Sequence, residues 1–306
     1  MVKMDQNKYR VFLKTVELGS ITRAAEALGY TQSAVSRVVA DLEREWGLTL
    51  LTRGRSGVEL TSQGAVLVPY LRGVCNAEKE LEEQVSELHG LTRGTLRVGA
   101  FASVSIQWLP AIIKEFLTLY PGIRFELESK WEFAEVEDLV RRGQVDCGFL
   151  GLPVGPGLDT FPLWRDELLA VLPPDHPLAG APFYPMERFA QDPYIDTPEE
   201  RDLEIGLIFQ EEGIRPNLRY TVNDDFATLA MVEQGLGVSI RPELVLRNTG
   251  RQFAAIPLER PRYRDIALAV RSGHPPSPLT ARFLACVREA VTRMEPDRLG
   301  KGPAQA

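Results

Sequence analysis

Apolar residues in the first sixty positions recur at helical spacing. Tyr9, Phe12, Leu13 and Val16 share one face of a first helix. A second, short helix runs from Ser20, a capping residue, through Arg23, Ala24, Ala25, Glu26, Ala27 and Leu28, good helix formers whose alanines admit a close neighbour. Gly29 stands where a left-handed residue ends that helix. Thr31 caps a third helix, on which Val35, Val38, Val39 and Leu42 face inward. Gln32, Ser33, Ser36 and Arg37 are left on the exposed side of its N-terminal part. Residues 48–51 and 58–60 read as two short strands around Arg53-Gly-Arg-Ser-Gly57, a basic hairpin carrying Arg53 and Arg55.

From Thr61 to about residue 91 the pattern is one long helix. Leu67, Val74, Leu81 and Leu88 fall seven apart, with Leu71 and Val85 on the intervening turns and Glu78 interrupting the seam. Pro69 inside it should kink the helix or free a carbonyl. So long a helix between two globular regions has little of its own chain to lie on, so the seam predicts pairing with a second copy. Residues 90–94, Gly-Leu-Thr-Arg-Gly, read as a hinge. Beyond it strands and helices alternate. Strands are expected at 96–100, 123–127, 145–150, 168–172, 220–222, 237–240 and 266–270. Helices are expected at 109–119, 135–142, 225–234 and 279–294. Such alternation predicts an α/β body with parallel sheets covered by helices.

Two helices joined by a glycine turn, the second opening with Gln, Ser and Arg, have the layout of a helix-turn-helix. Its second helix enters the major groove, where Gln suits adenine, Arg suits guanine and Ser suits a base or a phosphate. A helical hairpin of an ordinary domain has the same outline, but the basic hairpin that follows reads as a wing whose arginines reach phosphate or the minor groove.

The net charge of −7 opposes a polyanionic partner until it is divided along the chain. Residues 1 to 62 hold nine Lys/Arg and seven Asp/Glu, 9 − 7 = +2, so the rest carries −7 − 2 = −9. A modestly positive head on an acidic body fits DNA binding by placed contacts. With 44% hydrophobic and 25% charged residues across 306 positions, the chain suits two or three globular domains. No stretch has the unbroken apolar length of a membrane span, and the N-terminus lacks the apolar core of a secretory signal, so a cytoplasmic location is expected. Cys75, Cys147 and Cys286 are scattered outside any metal-ligand spacing and read as reduced thiols. His89, His176 and His274 are equally scattered. No phosphate loop, nucleophile elbow or metal-binding helix occurs, so no catalytic residue, metal or cofactor is assigned.

Residues 5 to 64 resemble the winged helix-turn-helix of LysR-type transcriptional regulators. The resemblance rests on Phe12, Gly19-Ser20, Ala24-Ala25, Leu28, Gln32, Ala34-Val35-Ser36-Arg37, Leu42-Glu43, Gly47, Leu50, Arg53, Leu60-Thr61 and Gln63-Gly64. Ser33 stands where the family usually has proline, and Leu51 where it has phenylalanine. A weaker similarity continues through Gly99, Leu109-Pro110, Phe116, Pro121, Leu139, Gly143, Asp146 and residues 232–242. The resemblance implies a DNA-binding domain at 1–60, a linker and dimerisation helix with its hinge at 61–93, and an effector-binding domain at 94–296. A flexible tail at 297–306 would follow. The effector domain is then a two-lobed α/β fold similar to periplasmic binding proteins, with lobe one at about 95–163 and 268–295, and lobe two at about 164–267. Two crossing strands would join the lobes.

Under that implication, Gln32, Ser33, Ser36, Arg37, Arg53 and Arg55 contact double-stranded promoter DNA. A small-molecule effector sits between the lobes, where open α/β sheets bind ligands. Phe101, Ser103 and Val104 after the first strand, Lys130, Trp131 and Phe133 after the second, and Phe149, Asp196, Thr197, Asn223 and Asp224 after others are the candidate contacts. Ser103 could help backbone N–H groups hold a carboxylate. Phe133 stands where the family commonly has serine or threonine, which predicts a more aromatic pocket. The chain itself is the third partner, as a dimer through the linker helix and a tetramer of dimers. A carrier protein using the N-terminal helices only for assembly, or an enzyme in the α/β body, are the other classes. The first predicts no sequence-specific DNA complex, and no motif supports the second. Alanine at Arg55 should weaken binding to all sequences and flatten its salt dependence, measurable by titrating DNA at several ionic strengths.

Overall fold

The structure is a computed structural model that describes residues 6–54, 57–88, 93–130, 132–197, 203–273 and 275–295. The hinge residues 90–92, Arg55, Trp131, His89, His274 and the tail at 297–306 lie outside the described residues. The chain divides into two compact units, one of residues 1–94 with two short segments (142–144 and 277–279), the other of the remainder.

The first unit opens with helices α1 (Gln6–Leu18), α2 (Ile21–Leu28) and α3 (Gln32–Trp46). Ser20 caps α2 by accepting from the Arg23 N–H, and Gly29 closes it at φ 69°. Thr31 caps α3 through the Ala34 N–H, and Gly47 closes it at φ 66°. Strands β1 (Leu51–Gly54) and β2 (Gly57–Leu60) pair antiparallel as a hairpin. The Val58 N–H donates to the Gly19 carbonyl at 2.9 Å and so ties the hairpin to the α1–α2 turn. Glu43 on α3 accepts from the N–H groups of Leu50 and Leu51, at 2.7 and 3.1 Å, fixing the approach to β1.

Helix α4 (Ser62–Leu88) is continuous through Pro69. Its apolar surface departs from the expected seven-residue seam. Val68 and Leu71, with Leu67, Val74 and Cys75, pack on Tyr9, Phe12, Leu42 and Leu50 of the same unit. The first half of the helix therefore lies on its own domain. Leu81 and Val85 stay exposed farther along, and Val66 and Tyr70 point out on the same stripe. Residues 66, 70, 81 and 85 recur at steps each close to a whole number of turns, so neighbouring members lie on a slowly drifting stripe, whereas the seam joined positions with different surroundings.

The second unit contains β3 (Gly94–Phe101), α5 (Ala102–Gln107), α6 (Leu109–Leu119), β4 (Ile123–Lys130), α7 (Phe133–Arg141), β5 (Cys147–Leu152) and β6 (Leu158–Leu172). A 3-10 helix (Met186–Ala190) follows, then β7 (Tyr194–Asp196), α8 (Leu203–Glu212), β8 (Leu218–Thr221), α9 (Asp225–Glu233), β9 (Ser239–Pro242) and α10 (Glu243–Leu246). Strand β10 (Ala254–Arg271) and helix α11 (Pro278–Met294) close it. The main sheet has the order β4-β3-β5-β10-β6-β9. Strands β3 and β5 are parallel, but β10 is antiparallel to both β5 and β6, and β6 is antiparallel to β9. The expectation of parallel sheets is thus corrected to a mixed sheet. The cause is the pair of long strands, β6 and β10, which run back and forth and need no covering helix between them. The smaller sheet, β7 and β8, is parallel.

Both halves of this unit have aromatic cores. Phe116 of α6, Phe125 of β4 and Phe283 of α11 meet with ring centroids 5.5–5.8 Å apart. In the other half Tyr184, Phe189, Tyr194 and Phe209 stack edge to face or tilted around Ile205, Val238 and Ile240. Edge-on rings add roughly 0.5–1.5 kcal/mol per pair beyond the area they bury. Among the described residues no helix is long and apolar enough to cross a membrane.

Candidate functional site

The first unit presents a polar face on the opening turns of α3. The Thr31 cap leaves Gln32 at the first helical position and Ser33 at the second. Gln32, Ser33 and Arg37 are exposed, while Val35, Val39 and Leu42 of the same helix are buried. Arg37 and Gln32 have no hydrogen bond or ion pair among the described residues. Ser33 shares a hydrogen bond of 3.1 Å with the Thr31 hydroxyl. Where a proline would pre-set the first turn, this chain therefore uses a hydroxyl pair beside the cap. Ser36 lies half-buried on the same turn. Arg53 belongs to β1 of the hairpin, and Arg55 at its tip falls outside the described residues.

In the second unit a cavity of about 400 Å³ opens between the two halves of the sheet. Of the residues expected there, Phe101, Ser103, Phe133, Thr197 and Asn223 line it. Val104, Lys130, Phe149, Asp196 and Asp224 do not, and each has a different engagement. Val104 is buried on the inner side of α5, and Phe149 is buried in the middle of the sheet opposite Leu268. Lys130 is paired with Glu128 at 3.4 Å. Asp196 accepts from the Tyr194 hydroxyl and the Thr197 N–H, at 3.3 and 2.8 Å. Asp224 caps α9 through the Ala227 N–H at 2.7 Å, and its neighbour Asp225 faces the cavity instead.

Two arginines absent from the sequence-based expectation dominate the polar wall. Arg264 on β10 is 8% exposed and pairs with Asp166 on β6, which is fully buried. Its Nε donates to Asp166 Oδ2 at 2.8 Å, and its Nη2 donates to Ser103 Oγ at 3.0 Å. The Leu244 N–H completes the Asp166 carboxylate at 3.1 Å. Burial pushes the Asp166 carboxyl above the usual range, and Arg264 and the Leu244 N–H oppose that rise. The guanidinium also lies 5.0 and 5.8 Å from the ring centres of Phe101 and Phe133. Arg241 on β9 is 1% exposed. It donates to the Ile240 carbonyl and to Thr228 Oγ1, at 2.7 and 3.1 Å.

The signal for Arg241 was a single charge after an apolar run, whereas Arg264 stands in a charged stretch, Arg260 to Asp265, and only its strand face marked it. Arg264 shares the strand face of Ile266 and Leu268, and Arg241 follows Ile240. Reading β10 as starting at residue 266 hid the first.

Behind the cavity a second polar cluster joins the halves. Arg247 pairs with Glu243 and Glu295 and lies over the Trp164 ring, which holds its guanidinium charged. Gln107 donates to the Arg247 carbonyl at 2.7 Å. The cysteines stay free, and burial, with Glu115 and Glu289, raises the Cys286 thiol. A raised thiol is protonated and poorly nucleophilic. Among the described residues no cluster of three or more His, Cys, Asp or Glu could hold a metal ion.

Comparison with known proteins follows the same division. Residues 6–65 match the model of the bacterial regulatory helix-turn-helix protein, lysR family, and residues 89–292 that of the LysR substrate binding domain. The RuBisCO operon transcriptional regulator of Allochromatium vinosum is 30% identical over 293 residues, covering 93% of this chain and 96% of its own. Full-length OxyR from Pseudomonas aeruginosa superimposes with a TM-score of 0.77 at 21% identity, over 98% of this chain and 99% of that one. Full-length CbnR in complex with its target DNA gives 0.65 at 24% identity, over 94% and 100%.

Proposed function

The chain belongs to the LysR family of transcriptional regulators, and we propose that it reads promoter DNA with the first turns of α3 while a small molecule in the cavity of its second unit sets the response. The relatives are named as transcriptional regulators. The observation that carries the DNA assignment is the pair Gln32 and Arg37, exposed and unpartnered on a helix that is otherwise fixed by its caps and buried valines. Free polar side chains on a rigid helix are suited to base edges, because little order is lost when they bind. The structure of CbnR on DNA supports the reading, since that protein shares the fold.

Changing Arg37 to alanine should weaken binding by about 1–3 kcal/mol at particular base pairs and relax the preference there. A binding-site selection on the parent and the variant checks this. An unchanged consensus would remove Arg37 from the reading face.

Val66, Tyr70, Leu81 and Val85 are 48–70% exposed along α4. An apolar stripe of this size supports pairing through α4 with a second copy, which would bring two reading heads to one duplex. A tetramer of two such dimers is the larger assembly we assign, and sedimentation of the purified protein measures it. Promoter DNA as partner puts the protein in the cytoplasm. An effector acts only through its differential affinity for two arrangements of the body. The Arg247–Glu295–Gln107 cluster joining the two halves is the contact such a change would have to alter.

A further inference from the structure

We infer that Tyr30 is a further DNA contact, its hydroxyl donating to a backbone phosphate at the edge of the groove that α3 enters and so fixing the register of that helix. The inference rests on α3 being the reading helix. It starts from a large side chain with no packing role. Tyr30 is 46% exposed. The other aromatic residues of α1 to α3, Tyr9, Phe12 and Trp46, belong to the core shared with α4. A large residue just before a helix cap commonly packs on the fourth residue of that helix. Here the fourth residue is Val35, which is covered by Val11, Ile21, Ala24 and Ala25, while Tyr30 stays in solvent. Burial therefore does not account for a tyrosine at this position.

The backbone that carries the ring is held on both sides. The Tyr30 N–H donates to the Ala25 carbonyl at 2.9 Å, and Gly29 before it closes α2 in the left-handed region. Thr31 after it is fixed as the cap of α3, accepting from the Ala34 N–H at 3.2 Å. A tyrosine has only two side-chain torsions to fix, so on a rigid turn it loses little freedom when it binds.

The chemistry follows from which hydroxyls are occupied. Those of Thr31 and Ser33 share a hydrogen bond of 3.1 Å, and that of Thr31 also accepts from Ala34. The Tyr30 hydroxyl has no hydrogen bond among the described residues. Bases are read from the first turn of such a helix, whereas Tyr30 lies ahead of the cap and outside that turn. The acceptors bordering the groove there are phosphate oxygens, and tyrosine is among the side chains that bond them. Such a contact positions the helix and carries no base preference. A hydroxyl donor also releases no counterion, so unlike an arginine it leaves the salt dependence of binding unchanged.

The test uses the full-length protein and a duplex recovered by binding-site selection on it. Tyr30→Phe, which keeps the ring, should bind that duplex about tenfold more weakly, the loss expected for one hydrogen bond to a charged group. Its selected consensus, and its slope of log affinity against log salt, should match the parent's. Methylphosphonate linkages placed one at a time along the duplex each remove a single phosphate charge. At one position in each half-site this change should cost the parent more than it costs Tyr30→Phe, and that position is the phosphate Tyr30 holds. Circular dichroism compares the folding of the two proteins, and Tyr30→Leu, which also lacks the hydroxyl, carries the same test if Tyr30→Phe is less folded. Parent-like affinity of the variant would overturn the contact. A changed consensus would make Tyr30 a reader of bases and overturn the phosphate assignment. A loss with no difference between the two proteins at any methylphosphonate position would make the effect structural and overturn the inference. These three results leave α3 as the reading helix, whereas a parent that selects no consensus would overturn that reading and the inference with it.

Discussion

Replacing Asp166 with alanine is expected to destabilise the protein by about 3–5 kcal/mol, because it strands the Arg264 charge in a buried site. The pair is fully desolvated on the carboxylate side, and that carboxylate also accepts the Leu244 N–H at the start of α10. Removing it leaves the guanidinium with no anion and Ser103 as its remaining acceptor, and the Leu244 N–H with none, beside two phenyl rings that cannot replace the carboxylate. Denaturant unfolding of the full chain, followed by circular dichroism, measures the loss. The comparison that isolates the cause is the double substitution Asp166→Leu with Arg264→Met. Two apolar residues of similar volume in place of a buried pair are often neutral or stabilising. The double variant should therefore recover most of the stability. A single variant that loses less than about 1 kcal/mol would show that water reaches Arg264.

Gly57→Ala is expected to damage DNA binding without touching the body. Gly57 begins β2 at φ 126°, a conformation that residues with a side chain rarely adopt. A Cβ there would also collide with the Gly19 carbonyl oxygen, the group that accepts the Val58 N–H and ties the hairpin to the α1–α2 turn. The hairpin must move or the turn must open. Strain of this kind costs about 1–3 kcal/mol, which as lost affinity is on the order of tenfold or more if it falls on the DNA-bound geometry. Gel-shift titration against a non-specific and a specific duplex reads it, with circular dichroism as the control for folding. Parent-like affinity for both duplexes would show that the wing's placement does not matter to binding.

Much of the first unit was legible in the sequence. Caps, glycine stops and apolar spacing are local signals, and Ser20, Gly29, Thr31 and Gly47 stand where the chain needs them. The exposed polar face of α3 followed, since exposing Gln32 and Arg37 only required burying Val35 and Leu42. The long helix was legible in length but not in surroundings. Its seven-residue spacing was compatible with a partner helix, yet Leu67, Leu71 and Val74 face their own domain. The pattern records that a residue is apolar, not which surface covers it.

The second unit shows the sharper division. Alternation along the chain determined an α/β body, and the positions of α6, α7, α9 and α11 follow from it. Strand direction did not, because antiparallel and parallel strands share the same period and β10 joins partners from distant parts of the chain. The cavity was decided at that level too. Ser103, Arg264 and Arg241 of α5, β10 and β9 line it, with Asp166 of β6 paired to Arg264, and only the crossing of the two long strands brings them together. Sequence by itself determined the family, the reading head and the class of the body. Tertiary structure alone decided the chemistry of the pocket, since a buried charge is recognisable only once the partners that keep it buried are in place.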